Sequence, residues 1–328
     1  MPLQKTLVTG VTGFVGRALI DRMLVDGHAV RAAVRTLSSE LPRLLEPVAT
    51  GEIGPDTDWT RAVGGVDAVV HLAARVHMTG EDASTALPLF RAVNAGGSEA
   101  LARAARAAGV RRFVFISTTT VYGDRSHGRS FDESSPTAPA TPYAQSKLEA
   151  ERELAEILAG SPTELVILRP PLVYGPGAKG NFARLLGLVQ RGVPLPLASV
   201  RNRRSLLFVG NLADAILCAI EHPAAAGRTY VVSDGEAVST PDLIARVAAA
   251  LGRPSRLFSF PPALLRSAGT LLGRGDEISR LLDDMAVDSS RIRSELRWTP
   301  PFSLDEGLAQ TAAWYAAQGS EEGRRRSF

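Results

Sequence analysis

The chain predicts an α/β fold: a doubly wound parallel sheet carrying a smaller C-terminal α/β cap. Three observations carry that reading. Short apolar runs alternate with longer stretches of helical periodicity from residue 3 to residue 168, a glycine-rich turn joins the first run to the first helical stretch, and prolines and glycines break the alternation after Leu168. Alternation of this kind points to parallel strands, because the crossover that returns the chain to the starting edge of a sheet is usually a helix.

Taken in order, residues 3–9 read as the first strand, 14–25 as an apolar-periodic helix and 29–34 as a second strand, which together make a βαβ unit. Further strands are expected at 66–72, 112–117 and 165–168, with a third strand ending before Gly51, and helices at 87–108 and 142–158. Residues 1–168 are expected to form mainly the sheet domain. Residues 169–320 are expected to form mainly the cap, with helices near 211–221, 240–251, 262–272 and 304–317 and some segments returning to the sheet. Arg169-Pro170-Pro171, Gly175-Pro176-Gly177 and Pro194-Leu195-Pro196 mark irregular loops. Residues 321–328, with Arg324-Arg325-Arg326, read as a solvated, disordered tail.

The 328 residues are 45% hydrophobic and 22% charged, the composition of an ordinary soluble protein with a sizeable core. One cysteine, Cys218, lies on an apolar helix face and cannot form an internal disulfide, so a reducing, cytoplasmic setting is expected. Neither a leader pattern nor an apolar run of membrane-spanning length is evident, and the formal charge of +3 gives little reason to expect a nucleic-acid partner. No metal site is expected.

Thr9-Gly10-Val11-Thr12-Gly13-Phe14-Val15-Gly16 sits between the first strand and the first helix. There it would bring backbone amides and the positive helix end to a pyrophosphate, and its glycines remove Cβ atoms that would block that approach. The alternative is a tight turn with no ligand. Tyr143-Ala144-Gln145-Ser146-Lys147 places a phenol and an ammonium one helical turn apart, and Thr118 ends a strand 25 residues before the tyrosine. A lysine so placed is expected to favour the ionised phenol, letting Tyr143 shuttle a proton while Thr118 holds the reacting oxygen. Hydride exchange with a nicotinamide is the chemistry such a trio serves.

These motifs resemble the extended short-chain dehydrogenase/reductase family, in particular its sugar-nucleotide epimerase and reductase branch, over nearly the whole chain. The resemblance implies a Rossmann-type fold, with Thr118, Tyr143 and Lys147 catalytic. It implies cofactor contacts at Gly10, Gly13, Phe14, Val15 and Gly16, at Glu52 and Ile53 after the third strand, at Leu72, Ala73 and Ala74, at Asn94, and at Pro170. His71, a lone histidine, is read as a satisfied core residue with no chemistry.

Cofactor choice is read at the end of strand two. Sites that prefer NAD place Asp or Glu there, whereas Ala32-Ala33-Val34-Arg35 holds no acid and adds a base. Arg35 would pair with a 2′-phosphate, so NADP(H) is the expected cofactor and NAD(H) the alternative; a merely solvated Arg35 would leave the 2′-hydroxyl to Ser38 or water.

On the substrate side the resemblance matches Asn181 to a phosphate-contacting asparagine, Arg204 to a diphosphate-binding arginine, and Val193, Leu195 and Leu197 to a loop framing uracil. Arg280 is matched more loosely as a second cation. A solvated basic loop is the other reading of Arg204 and its neighbours. Thr119-Thr120 stand where the 4,6-dehydratases of the family carry an Asp-Glu pair, which argues against elimination. The expected substrate is a UDP-sugar and the expected reaction NADPH-dependent reduction of a UDP-4-keto-6-deoxyhexose for bacterial surface polysaccharide. A UDP-hexose 4-epimerase using NAD is the alternative. A homodimer is allowed.

Overall fold

The computed structural model describes residues 5–38, 41–76 and 83–325. Its strands are β1 (Thr6–Thr9), β2 (Val30–Val34), β3 (Glu46–Ala49), β4 (Ala68–His71), β5 (Arg112–Ile116), β6 (Glu164–Arg169), β7 (Leu172–Tyr174), β8 (Arg204–Phe208), β9 (Arg228–Val231) and β10 (Ala237–Val238). Seven of them form one sheet in the order β3-β2-β1-β4-β5-β6-β9, with every neighbouring pair parallel. The chain builds outward from β1 through β3 and then crosses to β4, so the direction of winding reverses between β1 and β4. In a doubly wound sheet, the crevice beyond the carboxyl ends of the strands at such a switch is where ligands bind.

Side-chain alternation shows why the sheet is covered on both sides. Val8, Val70, Val114, Val166 and Leu168 face one buried cluster, shared with the helices Phe14–Val25 and Val209–Glu221 and with Ile292, Leu296 and Trp298. Their strand neighbours Leu7, Val69, Phe113, Phe115 and Ile167 face another, shared with the helices Gly97–Ala107 and Pro142–Leu158. Strands buried on both faces need continuous apolar runs, which is the pattern the sequence carries.

A second sheet, in the order β10-β8-β7, belongs to the cap. It packs with the helices Asn181–Gln190, Thr240–Ala250 and Leu304–Arg325 around Tyr174, Phe182, Leu206, Phe208 and Leu308. Late in the chain, β9 pairs with β6 in the main sheet and the helix Val209–Glu221 packs in the same buried cluster as Val8 and Val114.

Two boundaries differ from the sequence reading. The stretch expected as one helix at 87–108 is a helix Ala83–Phe90, a π-helical turn Arg91–Gly96 and a helix Gly97–Ala107. Periodicity alone does not register the change of pitch. The last helix runs to Arg325, so most of the expected tail is helical; Arg326 and the two residues after it lie outside the described residues, as do residues 3 and 4 of the first expected strand.

Asn202 ties the cap together from a buried position. Its amide nitrogen shares two hydrogens among Thr240 Oγ1 at 2.9 Å and the carbonyls of Leu281 and Asp283 at 3.0 and 3.1 Å, while its oxygen accepts from Thr240 N at 2.8 Å. Asn202→Ala removes these bonds and leaves buried polar groups unpaired. It is expected to destabilise the fold by about 1–3 kcal/mol, read as a lower Tm together with faster amide exchange around residues 281–285. Unchanged exchange there would mean that the cap is held elsewhere.

Candidate active site

The glycine turn after β1 is shaped by close backbone approach. Gly10 has φ of +72°, and a Cβ there would lie 2.8 Å from Ala73 N. A Cβ on Gly16 would run into the Gly10 carbonyl and come within 2.8 Å of Val11 Cα. The helix Phe14–Val25 begins at Gly13 with no side-chain cap, so its first-turn N–H groups face the crevice without a side-chain acceptor. Open amides, a helix dipole and space where side chains would be suit a pyrophosphate. Phe14 and Val15 pack partly against the cap core, joining the turn to the cap.

A buried chain of hydrogen bonds runs from this turn to the tyrosine helix. Ala73 N donates to Thr9 Oγ1 at 3.1 Å, Thr9 Oγ1 lies 2.8 Å from His71 Nδ1, and His71 Nε2 lies 3.0 Å from Ser98 Oγ. Ser98 donates its single hydrogen to the Asn94 carbonyl at 2.6 Å. It must therefore accept from His71, which fixes the Nε2–H tautomer and leaves Nδ1 to accept from Thr9. Burial pushes His71 down to about 3, so it stays neutral. Its partners are satisfied as expected, and it carries no proton chemistry.

Asn94 sits in the π-helical turn, buried, and clamps three segments. Its oxygen accepts from Arg75 N at 2.7 Å, and its amide donates to Arg75 O and to Ser146 Oγ, each at 3.0 Å. Ser146 in turn donates to the Tyr143 carbonyl at 2.8 Å. A π turn inserted into a helix commonly marks a functional position; this one aims Asn94 at the tyrosine helix.

The helix Pro142–Leu158 matches the sequence expectation. Thr141 caps it by accepting from Ala144 N at 3.2 Å, with Pro142 in the first turn. As the crossover between parallel β5 and β6 it runs against the strands, so Tyr143, at its start, lies at their carboxyl edge. Thr118, just past β5, has an Oγ1 that accepts from Thr120 N at 3.2 Å and lies 3.0 Å from Thr120 Oγ1. Phe90 stands edge-on to Tyr143 with ring centroids 6.2 Å apart.

The electrostatics differ from the expectation of a phenol made acidic by its lysine. Burial pushes Tyr143 up to about 12, with no opposing charge acting on it. Lys147 is 2% exposed, and desolvation lowers it to about 7, partly opposed by Glu151. Its ammonium nitrogen lies over the Phe115 ring, 3.8 Å from the centroid. The protein alone keeps the phenol protonated and holds the lysine close to its titration point.

The other expected cofactor residues fall along the same edge. Arg35 follows β2, Glu52 and Ile53 follow β3, Leu72, Ala73 and Ala74 follow β4, and Pro170 follows β6, where its carbonyl accepts from Thr119 N at 3.0 Å. Arg35 is not merely solvated: its Nε pairs with Glu52 Oε1 at 3.0 Å, both side chains being largely exposed. An acid absent from strand two is thus supplied by the segment after strand three.

In the cap, Arg204 and Arg280 are brought together, since Arg204 Nη1 donates to the carbonyls of Arg280 and Asp283 at 2.5 and 3.1 Å. Arg204 thus stands at a strand end, not in the solvated loop of the alternative reading, with one guanidinium nitrogen already committed to backbone. Asn181 is exposed at the start of its helix. Val193, Leu195 and Leu197 lie on a separate loop paired with residues 256–258, and Leu197 is buried in the cap core with its N–H and carbonyl bonded to Leu195 and Val200.

Sequence reasoning passed over Thr9, Ser98 and Ser146, the hydroxyls of the buried chain. Ser98 lies one turn from Asn94 and Ser146 lies between Tyr143 and Lys147, so only spacing could have flagged them.

The fold and this edge define a nicotinamide-dinucleotide enzyme of the extended short-chain dehydrogenase/reductase type. A model described as the NAD dependent epimerase/dehydratase family matches residues 6–233, and the chain belongs to that family. It is 40% identical over 309 residues to a UDP-glucose 4-epimerase of Vibrio cholerae, covering 93% of this chain and 94% of that one. A UDP-glucose 4-epimerase of Mycolicibacterium smegmatis is 31% identical over 327 residues, covering 95% and 98%. A short-chain dehydrogenase/reductase superfamily protein from Agrobacterium tumefaciens, solved with bound NAD, superposes with a TM-score of 0.76 at 26% identity, covering 98% and 100%. Among the described residues no helix is long and apolar enough to cross a membrane, and no group of three or more His, Cys, Asp or Glu residues could hold a metal ion.

The lowered Lys147 makes a stability prediction. Its proton affinity is weaker folded than unfolded, so between about 7 and the ordinary lysine value of 10.5 the unfolded chain binds more protons and stability rises with pH. Lys147→Met should remove that contribution. Relative to the variant, wild type should gain up to ~1.4 kcal/mol per pH unit in this window, measured by denaturant unfolding; parallel pH profiles would contradict it.

Proposed function

We propose that this chain is a UDP-hexose 4-epimerase that works with NAD. The observation that carries the reading is the end-to-end similarity to the Vibrio cholerae UDP-glucose 4-epimerase, 40% identical over more than nine tenths of both chains. It takes the place of the reductase expected from the sequence. That expectation leaned on the missing acid and added base at the end of strand two, and the structure sets an acid, Glu52, against Arg35 at 3.0 Å.

Bound NAD would supply the hydride acceptor and donor at sugar C4. Gly10, Gly13 and Gly16 would hold its pyrophosphate, with Phe14 and Val15 in the adjoining helical turn, and Glu52 and Ile53 would flank its adenosine. Tyr143, as the phenolate, would take the proton from the C4 hydroxyl and return it to the same oxygen once the configuration at C4 is reversed. Thr118, steadied by Thr120, would hold the C4 oxygen through both transfers. Lys147 would lower the cost of the phenolate that Tyr143 must form to accept that proton. Arg204, Arg280 and Asn181 would receive the diphosphate, since two negative charges call for guanidinium and amide donors, and the loop carrying Val193, Leu195 and Leu197 would frame the base. Thr119 and Thr120 offer no carboxylate for elimination, which supports a reaction confined to C4.

Purified protein given UDP-glucose and NAD is expected to form UDP-galactose until equilibrium, followed by the anomeric proton signals, with no net change in nicotinamide absorbance. Stoichiometric NADPH oxidation by a UDP-4-keto-6-deoxyhexose, without hexose interconversion, would return the reading to a reductase. Tyr143→Phe is expected to lower turnover by a factor on the order of 10² to 10⁴ while the fold persists; wild-type turnover would remove Tyr143 from the mechanism. Arg35→Ala should leave NAD affinity within about fivefold, as an exposed ion pair allows.

A further inference from the structure

Lys147 and Glu151 stand at i and i+4 on the helix Pro142–Leu158, the spacing at which a lysine and a glutamate ordinarily pair along a helix. Here the lysine turns elsewhere. Its ammonium lies over the Phe115 ring, while both carboxylate oxygens of Glu151 are taken by Arg169 from the end of β6. Arg169 Nε donates to Glu151 Oε1 at 2.9 Å, a second guanidinium nitrogen donates to Oε2, and a third contact runs from Nη1 to Tyr122 Oη at 2.7 Å. The guanidinium also lies over the Tyr122 ring, 4.9 Å from its centroid. Glu151 and Arg169 are 4% and 8% exposed, so this is a buried two-point pair of fixed geometry.

We propose that Glu151 and Arg169 form a positioning pair for Lys147, in which Arg169 occupies the carboxylate that would otherwise capture the lysine and so keeps its ammonium available to Tyr143 and ligand. The inference rests on the proton-transfer role given to Tyr143 and Lys147 above. A buried carboxylate without a partner is costly, and Lys147 is the neighbouring cation on its own helix. The titratable groups whose charges reach the lysine are Glu151 on its own helix and His71 from β4, and Glu133 lies near the Arg169–Tyr122 contact. His71 is neutral, and Glu133, which accepts from Val231 N at 2.7 Å, is held above its ordinary range by burial. Glu151 is thus the nearby anion able to compete for the ammonium.

The chain contains three lysines, Lys5, Lys147 and Lys179, so protein labelled with ¹³C at the lysine ε carbon gives three signals, that of Lys147 being the one lost in Lys147→Met. Its titration needs no sugar, and a failure here is separable from a failure of the epimerase reading. In wild type the midpoint is expected near the lowered value. Arg169→Met, which releases Glu151 and removes a nearby positive charge, should raise it by about one pH unit, tenfold in ionisation constant. Glu151→Gln, which removes the attracting charge, should lower it. Should Arg169→Met fail to fold, Arg169→Lys, which keeps the charge but loses the two-point fork, should give a smaller rise. A midpoint that stays in place in the folded Arg169 and Glu151 variants, or that falls when Arg169 is replaced, overturns the proposal.

Discussion

The buried hydrogen-bond chain from Thr9 through His71 and Ser98 to Asn94 and Ser146 is the constraint on which the site depends. It crosses between β1 and β4, where the winding of the sheet reverses, and joins the glycine turn to the start of the tyrosine helix. Each link has its donor and acceptor fixed by the next, so the chain is satisfied only in one arrangement. A satisfied network in a low-dielectric interior is rigid, and a broken one leaves polar groups buried without partners. His71 matters here because it is neutral. A protonated imidazole would carry two N–H donors, and Nδ1 could no longer accept from Thr9.

The same interior sets the acid–base character of the site. Burial acts in opposite directions on a phenol and an ammonium, raising Tyr143 and lowering Lys147, because each is pushed toward its neutral form. The phenol is thereby held protonated, while the ammonium is brought nearer to losing its proton. The cap contributes positive charge at Arg204 and Arg280, and the Arg204 guanidinium is held in place by the backbone carbonyls of Arg280 and Asp283.

Much of this was legible in the sequence. Strands β1, β2, β4, β5 and β6 and the helix Pro142–Leu158 followed from apolar runs and helical period, because those signals are local; β9, which pairs with β6 late in the chain, was not foreseen. The glycine turn was legible because backbone approach to Gly10 and Gly16 leaves no room for Cβ. The π-helical turn was not, since one residue's change of pitch leaves apolar periodicity intact. Nor was the pairing of Arg35 with Glu52, which joins the ends of two strands and depends on β2 lying beside β3. The upward shift of Tyr143 was not legible either, because a lysine one turn away says nothing of how the fold desolvates the phenol.

The central claim is that this site exchanges a hydride and a proton at a single sugar carbon. The direct measurement is the fate of deuterium in UDP-glucose labelled at C4, followed by NMR in ordinary water through interconversion with UDP-galactose. The account predicts that the product keeps the deuterium at C4, with no loss to solvent and no incorporation of solvent hydrogen elsewhere in the ring. Loss of the label to water, or solvent hydrogen appearing at C3 or C5, would contradict it.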